Sequence, residues 1–142
     1  MDIISVDKNN LKQIKDFLLS LSIIKDINDD VVLNGEYVFE EEVIGFLSFE
    51  EFNNVGLIRY FVFKKLVEQD VIKLLFEKIC AKARRNIETL ITLVIKDEAI
   101  SVFKELGFIT ANKADVYIDE ICINETRFRD AIVLRYNLTE QT

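Results

Sequence analysis

Tyr60 stands inside an apolar run, Leu57–Phe63, and two lysines, Lys64 and Lys65, follow that run directly. A phenol can donate a proton or orient a polar partner, and paired ammonium groups can hold phosphate oxygens. Each pattern also has a plainer meaning. Tyr60, and Tyr37 in a neighbouring apolar segment, can be aromatic packing on a pleated sheet. The lysines can be a solvated loop whose charges balance Glu68 and Asp70. Asp70 itself reads most simply as an acid in the first turn of a helix, where it stabilises the dipole. Glu50 and Glu51 offer a carboxylate base or simply a solvated strand end, and Arg127 and Arg129, flanking Phe128, suit an acidic ligand.

The counts exclude more than they offer. With His 0 in 142 residues there is no histidine triad, no Cys–His pair, no imidazole base and no imidazole metal ligand. Cys80 and Cys122 are too few for a cysteine zinc site or a disulfide framework, and neither has a histidine to activate it. A net charge of -7 repels phosphate backbones, so no nucleic-acid partner is expected. The longest apolar stretches, Phe17–Ile24 and Leu90–Ile95, fall far short of the ~20 residues of a membrane helix. The N-terminus has no basic region or small-residue cleavage site of a secretory signal. These features predict a cytoplasmic protein with reduced thiols, away from membranes. The Asn124-Glu125-Thr126 sequon carries no meaning in that compartment. At 50% hydrophobic and 30% charged, 142 residues make one globular domain, 1–142.

The elements that must position these side chains follow from periodicity. Ile3, Ile4 and Val6 make a short strand. Asn10 and Gln13 have the spacing of a capping box, and Leu11, Ile14, Leu18 and Leu21 recur at helical spacing, predicting a helix over 11–24. Asn34-Gly35 is a turn, Glu36–Glu40 a strand, and Glu40-Glu41-Glu42 the next turn. Val43–Glu51 and Val55–Phe63, joined by Asn53-Asn54, complete an antiparallel meander. Residues 70–86 are helical, with Val71, Leu75 and Ile79 on one face. The near-unbroken apolar run Thr89–Ile95 is a strand buried on both faces, parallel to Leu57–Phe63 across the helix. Asp97–Leu106 is a helix stopped by Gly107, and Val116–Ile123 and Ala131–Leu138 are expected to pair as a C-terminal hairpin. The order is β-α-β-β-β-α-β-α-β-β. The fold class is α/β (α+β), a mixed central sheet with helices on both faces.

That order, with Glu105-Leu106-Gly107-Phe108 closing the last helix, resembles the GNAT superfamily of N-acetyltransferases. Val43-Ile44-Gly45-Phe46, Leu57–Phe63 leading into Leu75-Phe76-Glu77-Lys78-Ile79, and Arg129–Leu134 add to the likeness, which covers nearly the whole chain. The resemblance implies that acetyl-CoA lies between two central parallel strands that splay apart. Backbone groups of the fourth strand, here Phe61, Val62 and Phe63, would hold the pantetheine arm. It implies direct attack of a primary amine, on a small molecule or a peptide, upon the thioester, with a tyrosine protonating the leaving thiolate.

The pattern departs from that family at specific positions. Its phosphate loop, Arg/Gln-x-x-Gly-x-Gly/Ala, aligns here with 67–72, where Val67, Glu68, Asp70 and Ile72 stand and glycine does not. Two like charges within ~4 Å at an effective dielectric near 20 repel by roughly 4 kcal/mol, so phosphate must bind in an altered mode. Side chains of Lys64 and Lys65 are the candidates for it, and Tyr60 for the missing acid, because Phe103 occupies the usual tyrosine position and Lys96 the usual asparagine. Another class of function stays open beside the acetyltransferase. A GNAT-like module without cofactor would work by protein binding or as a homodimer, which suits a mean hydropathy of +0.17 and 11% aromatic residues.

Overall fold

The structure, a computed structural model, describes residues 1–21, 26–94, 98–118, 121–126 and 129–139. Strand β1 (Asp2–Ser5) leads through Asp7 into helix α1 (Leu11–Ser20) and a short helix α2 (Asp29–Leu33). Then come β2 (Glu36–Glu40), β3 (Glu42–Phe52), β4 (Val55–Phe63) and helix α3 (Gln69–Ala83). Strand β5 (Thr89–Val94), helix α4 (Glu98–Leu106), β6 (Ile109–Thr110), β7 (Tyr117–Ile118), β8 (Ile121–Cys122) and β9 (Ile132–Asn137) complete the order. Seven strands form one mixed sheet in the order β1-β2-β3-β4-β5-β9-β6, and β7 and β8 make a separate pair.

The meander and the crossover are as the periodicity predicts. The turn at the three glutamates closes through Glu41, whose φ of 66° is left-handed, and Asn53 at φ 55° turns β3 into β4. Strands β4 and β5 run parallel. Leu90 and Ile91 project to opposite faces of β5 and both are buried, so the strand is covered on both faces. Gly107 (φ +109°) ends α4. Its N–H donates to the Lys104 carbonyl and that of Phe108 to the Phe103 carbonyl, both at 3.0 Å, a Schellman closure that satisfies two orphan acceptors.

Three expectations need correction. The Asn10–Gln13 capping box does not form: Asn10 makes no side-chain cap bond. Its Oδ1 instead accepts the Asp7 N–H at 2.7 Å, while its Nδ2 donates to the Ser5 carbonyl. The amide is spent on the turn behind it. Helix α1 ends at Ser20, short of the predicted 11–24, and 22–24 lies outside the described residues. A second helix, α2, follows at Asp29–Leu33. Asn28 caps it by accepting the N–H groups of Asp30 and Val31.

The C-terminal hairpin is the third correction. Strand β9 pairs with β5 from Thr89↔Asn137 to Val94↔Ile132, and with β6 at Ile109↔Arg135 and Thr110↔Leu134. Within 116–123, Tyr117–Ile118 pairs with Ile121–Cys122. Val116 and Ile123 are buried with Leu57, Ile91 and Val133 in one apolar cluster. Val116 and Ile123 thus join the core, and β7 and β8 do not extend the sheet edge.

The described residues fall into two compact units, 1–50 with 59–82, and 51–58 with 83–142. The first has its own core, in which Ile14, Phe17 and Leu18 of α1 and Val32 of α2 meet Tyr37, Val43 and Phe46 of the strands. The second is built on the Leu57–Ile91–Val133 cluster and on the aromatic contacts of Phe103 with Phe108 and Phe108 with Tyr136.

Candidate active site on the fourth strand

The parallel ladder between β4 and β5 consists of Val55↔Thr89, Gly56↔Leu90 and Leu57↔Ile91, and it ends there. Strand β4 itself runs on to Phe63. Beyond the ladder the chain meets Tyr60 in a left-handed conformation, φ 51°. A bulky residue there costs about 1–2 kcal/mol and breaks the two-residue alternation of a strand. From Arg59 to Phe63 every side chain is only half-buried, whereas Gly56, Leu57 and Ile58 are buried.

The strain at Tyr60 is held by its side chain. The hydroxyl donates to the Asp26 carbonyl and accepts the Asn28 N–H, each at 3.3 Å. The ring faces Phe46 at 6.3 Å and carries the Arg59 guanidinium 5.5 Å from its centroid. Arg59 in turn pairs with Glu50. Tyr37, the other candidate phenol, is buried, with its hydroxyl accepting from Asn10 Nδ2 at 3.3 Å.

Phe61 and Phe63 meet edge to face, centroids 5.6 Å apart. Phe63 lies directly over Gly45 of β3, where a β-carbon would collide with its ring. The strand end is tied down by the Lys64 N–H, which donates to the Ile44 carbonyl at 2.8 Å.

Lys64 pairs with Glu42, and Lys65 with Glu40 at 3.8 Å. This corrects the simpler reading of the loop: among the described residues neither lysine is paired with Glu68 or Asp70. The hydrogen bond and charge of Lys64, helped by Lys65, hold the Glu42 carboxyl below the ordinary glutamate range. Both ammonium groups are more than half exposed, so the pairs are weak and exchangeable. Glu68 and Asp70 stand exposed at the head of α3, and the Glu68 carbonyl accepts the N–H of Val71 at 3.0 Å. Lys64 also borders an open groove of about 500 Å³ whose lining includes Asp16, Phe17, Phe39, Glu41 and Glu42.

In the second unit Phe103, at the position where the resemblance expects a tyrosine, is buried against Phe108 at 5.3 Å. Lys96, Arg127 and Phe128 lie outside the described residues. Cys80 is buried and Cys122 half-buried, and neither forms a disulfide. Among the described residues no group of three or more Cys, Asp or Glu is placed to hold a metal ion, and no helix is long and apolar enough to cross a membrane.

An acetyl-CoA carrier can be tested against this geometry. A strand that continues past its ladder suits a pantetheine arm, and two exchangeable lysines at its end suit phosphates. The head of α3, with two carboxylates and no glycine, does not suit a phosphate loop.

Comparison with solved structures agrees with the topology. N-acetylglutamate synthase from Neisseria gonorrhoeae, crystallised with coenzyme A and L-arginine, superposes at a TM-score of 0.69 with 18% identity over 96% of this chain. This chain spans 32% of that one. An N-acetyltransferase from Staphylococcus aureus Mu50 gives 0.67 with 19% identity and 98% coverage of both chains. A GNAT-family acetyltransferase from Streptococcus pneumoniae gives 0.66 with 15% identity, over 96% of this chain and 98% of its own. The chain has the GNAT fold. No family model and no curated protein matches it. The GNAT resemblance that the sequence carried at Glu105–Phe108 and along β3 and β4 is therefore correct for the fold.

Sequence reasoning named candidates on β4 but not what they touch. Glu40, Glu42, Arg59, Asp26 and Asn28 all contact the candidate residues directly. The three-glutamate turn was the one available signal, since an acidic turn on a neighbouring strand can reach lysines at the end of β4.

Proposed function

We propose that this chain is an N-acetyltransferase that moves an acetyl group from acetyl-CoA to a primary amine on a small molecule or a peptide. The single observation that supports it most is the β4–β5 ladder that stops at Leu57 while β4 continues around a left-handed Tyr60, in a GNAT fold. Bound acetyl-CoA supplies an activated thioester. In this reading the backbone of Phe61, Val62 and Phe63 holds the pantetheine arm, which orients the acetyl carbonyl for attack. Lys64 and Lys65 exchange Glu42 and Glu40 for phosphate oxygens, the altered binding mode that the glycine-free head of α3 requires. Tyr60 is the catalytic candidate. Its two hydrogen bonds are long, and its hydroxyl proton is the one assigned to the departing thiolate. The acidic groove beside Lys64 suits the approach of a cationic amine. Function as a single 1–142 domain in the cytoplasm, without nucleic acid or membrane, belongs to the same proposal.

A second reading rests on Phe103. Buried and unable to donate a proton, it fits a GNAT-like module that has lost cofactor chemistry and works by protein binding or as a homodimer. Thermal denaturation with acetyl-CoA separates the two. A ligand at a hundred times its Kd stabilises the fold by about 2.7 kcal/mol, a shift of several degrees in Tm. A shift that Lys64→Ala with Lys65→Ala abolishes supports the acetyltransferase. No shift, with a dimer on a sizing column, supports the module.

A further inference from the structure

The unit formed by 51–58 and 83–142 contains a cavity of about 340 Å³ that shares no residue with the 60–65 segment of β4. Its size is at the lower end of ligand pockets, suited to a small metabolite. Strand register explains how it is lined. Val55 pairs with Thr89, and Ile91 pairs with Arg135, so these residues lie side by side across β4, β5 and β9. The chain after β6 comes over them: the Ala111 N–H donates to the Val133 carbonyl at 2.8 Å, and a 3-10 turn, Lys113–Asp115, follows. Val116 fixes that turn by joining the Leu57–Ile91–Val133 cluster. Arg135 thus enters the cavity from a strand paired on both sides, and Asp115 from a turn pinned to the core.

Arg135 and Asp115 are opposite charges lining one small cavity, yet among the described residues they are paired neither with each other nor with any other group. Thr89, Thr110 and Tyr117 add hydroxyls, and Val55, Ile91 and Val116 add apolar wall. A scaffold that holds a cation and an anion apart complements a molecule carrying both charges in reverse order. We propose that this cavity binds a free α-amino acid, its carboxylate on the Arg135 guanidinium and its ammonium on the Asp115 carboxylate. The apolar wall then favours a small aliphatic side chain.

The test is isothermal titration calorimetry of the full chain, without acetyl-CoA, using L-alanine and L-valine. Their N-acetyl and carboxamide derivatives serve as charge-blocked controls. Binding of the free amino acids, weakened roughly tenfold or more by either blocking group and by Arg135→Gln or Asp115→Asn, is the expected result. Unchanged thermal denaturation of both variants establishes that they fold. No heat at millimolar amino acid, or equal binding of the blocked forms, overturns the assignment. The result is independent of the acetyltransferase reading: amino-acid binding by a protein that gives no acetyl-CoA shift leaves this site standing and removes only that function.

Discussion

Phe63 lies with its ring against the backbone of Gly45, so closely that no side chain at 45 can coexist with it. The contact joins β3 to the last residue of β4 and holds the strand end in place just before Lys64. It also explains why a glycine occupies the interior of a strand, where it otherwise weakens packing.

Gly45→Ala should therefore destabilise the protein by about 1–3 kcal/mol, because a new methyl group must displace an aromatic ring. In a Phe63→Ala background the same substitution should cost much less. Urea denaturation of the four-member cycle measures this coupling, and additive effects would refute the contact.

Gly107→Ala should also destabilise, by about 1–2 kcal/mol, for a different reason. Gly107 holds a φ of +109°, and a β-carbon there would lie 2.9 Å from the Tyr136 ring. Loss of the Schellman closure should be visible as faster amide exchange at Gly107 and Phe108.

Glu36 is 3% exposed and accepts from Lys82 Nζ at 3.0 Å, and the same ammonium donates to the Gly35 carbonyl. Lys82→Met leaves a buried carboxylate without its cation and should cost about 3 kcal/mol in chemical denaturation. Adding Glu36→Gln should recover part of that loss. If the double variant is no better than the single, the charge is not what matters at this site.

Glu42 has a folded-state pKa below its unfolded value because Lys64 bonds and attracts it. Its contribution to stability is then present above the unfolded glutamate range and lost as pH falls through the depressed folded value. Carboxyl NMR titration should find Glu42 titrating below the ordinary glutamate range, and Lys64→Ala should move it back up. A Glu42 unchanged by that substitution would mean the pair does not persist in solution.

Tyr60→Phe removes the bonds to Asp26 and Asn28 while keeping the ring, and should cost about 1 kcal/mol. Tyr60→Asn should recover backbone strain, since asparagine tolerates the left-handed region. If Tyr60 gives a proton to the thiolate, both variants lower kcat for acetyl transfer and leave acetyl-CoA binding intact. Equal kcat in Tyr60→Phe would remove the phenol from the chemistry.

The amino-acid sequence determined which segments become strands and helices wherever burial is periodic. Leu75 and Ile79 mark one face of α3, Leu90–Val94 marks a strand enclosed by neighbours, and Gly107 marks a helix stop. These are local properties, written in side-chain spacing and in the conformations open to glycine. The GNAT resemblance was legible for the same reason, since the matching residues at 43–46, 57–63 and 105–108 are packing residues. Tertiary structure alone decided which partners the candidate residues take. Lys64 and Lys65 chose Glu42 and Glu40 over Glu68 and Asp70 because strand register, not sequence distance, brings charges together. Val116 and Ile123 joined the core and β7 paired with β8, not with β9, whose edges β5 and β6 already occupy. The left-handed Tyr60 lies past the end of the β4–β5 ladder, and the cavity between Arg135 and Asp115 lies where the 110–117 chain crosses paired strands; no periodicity records either.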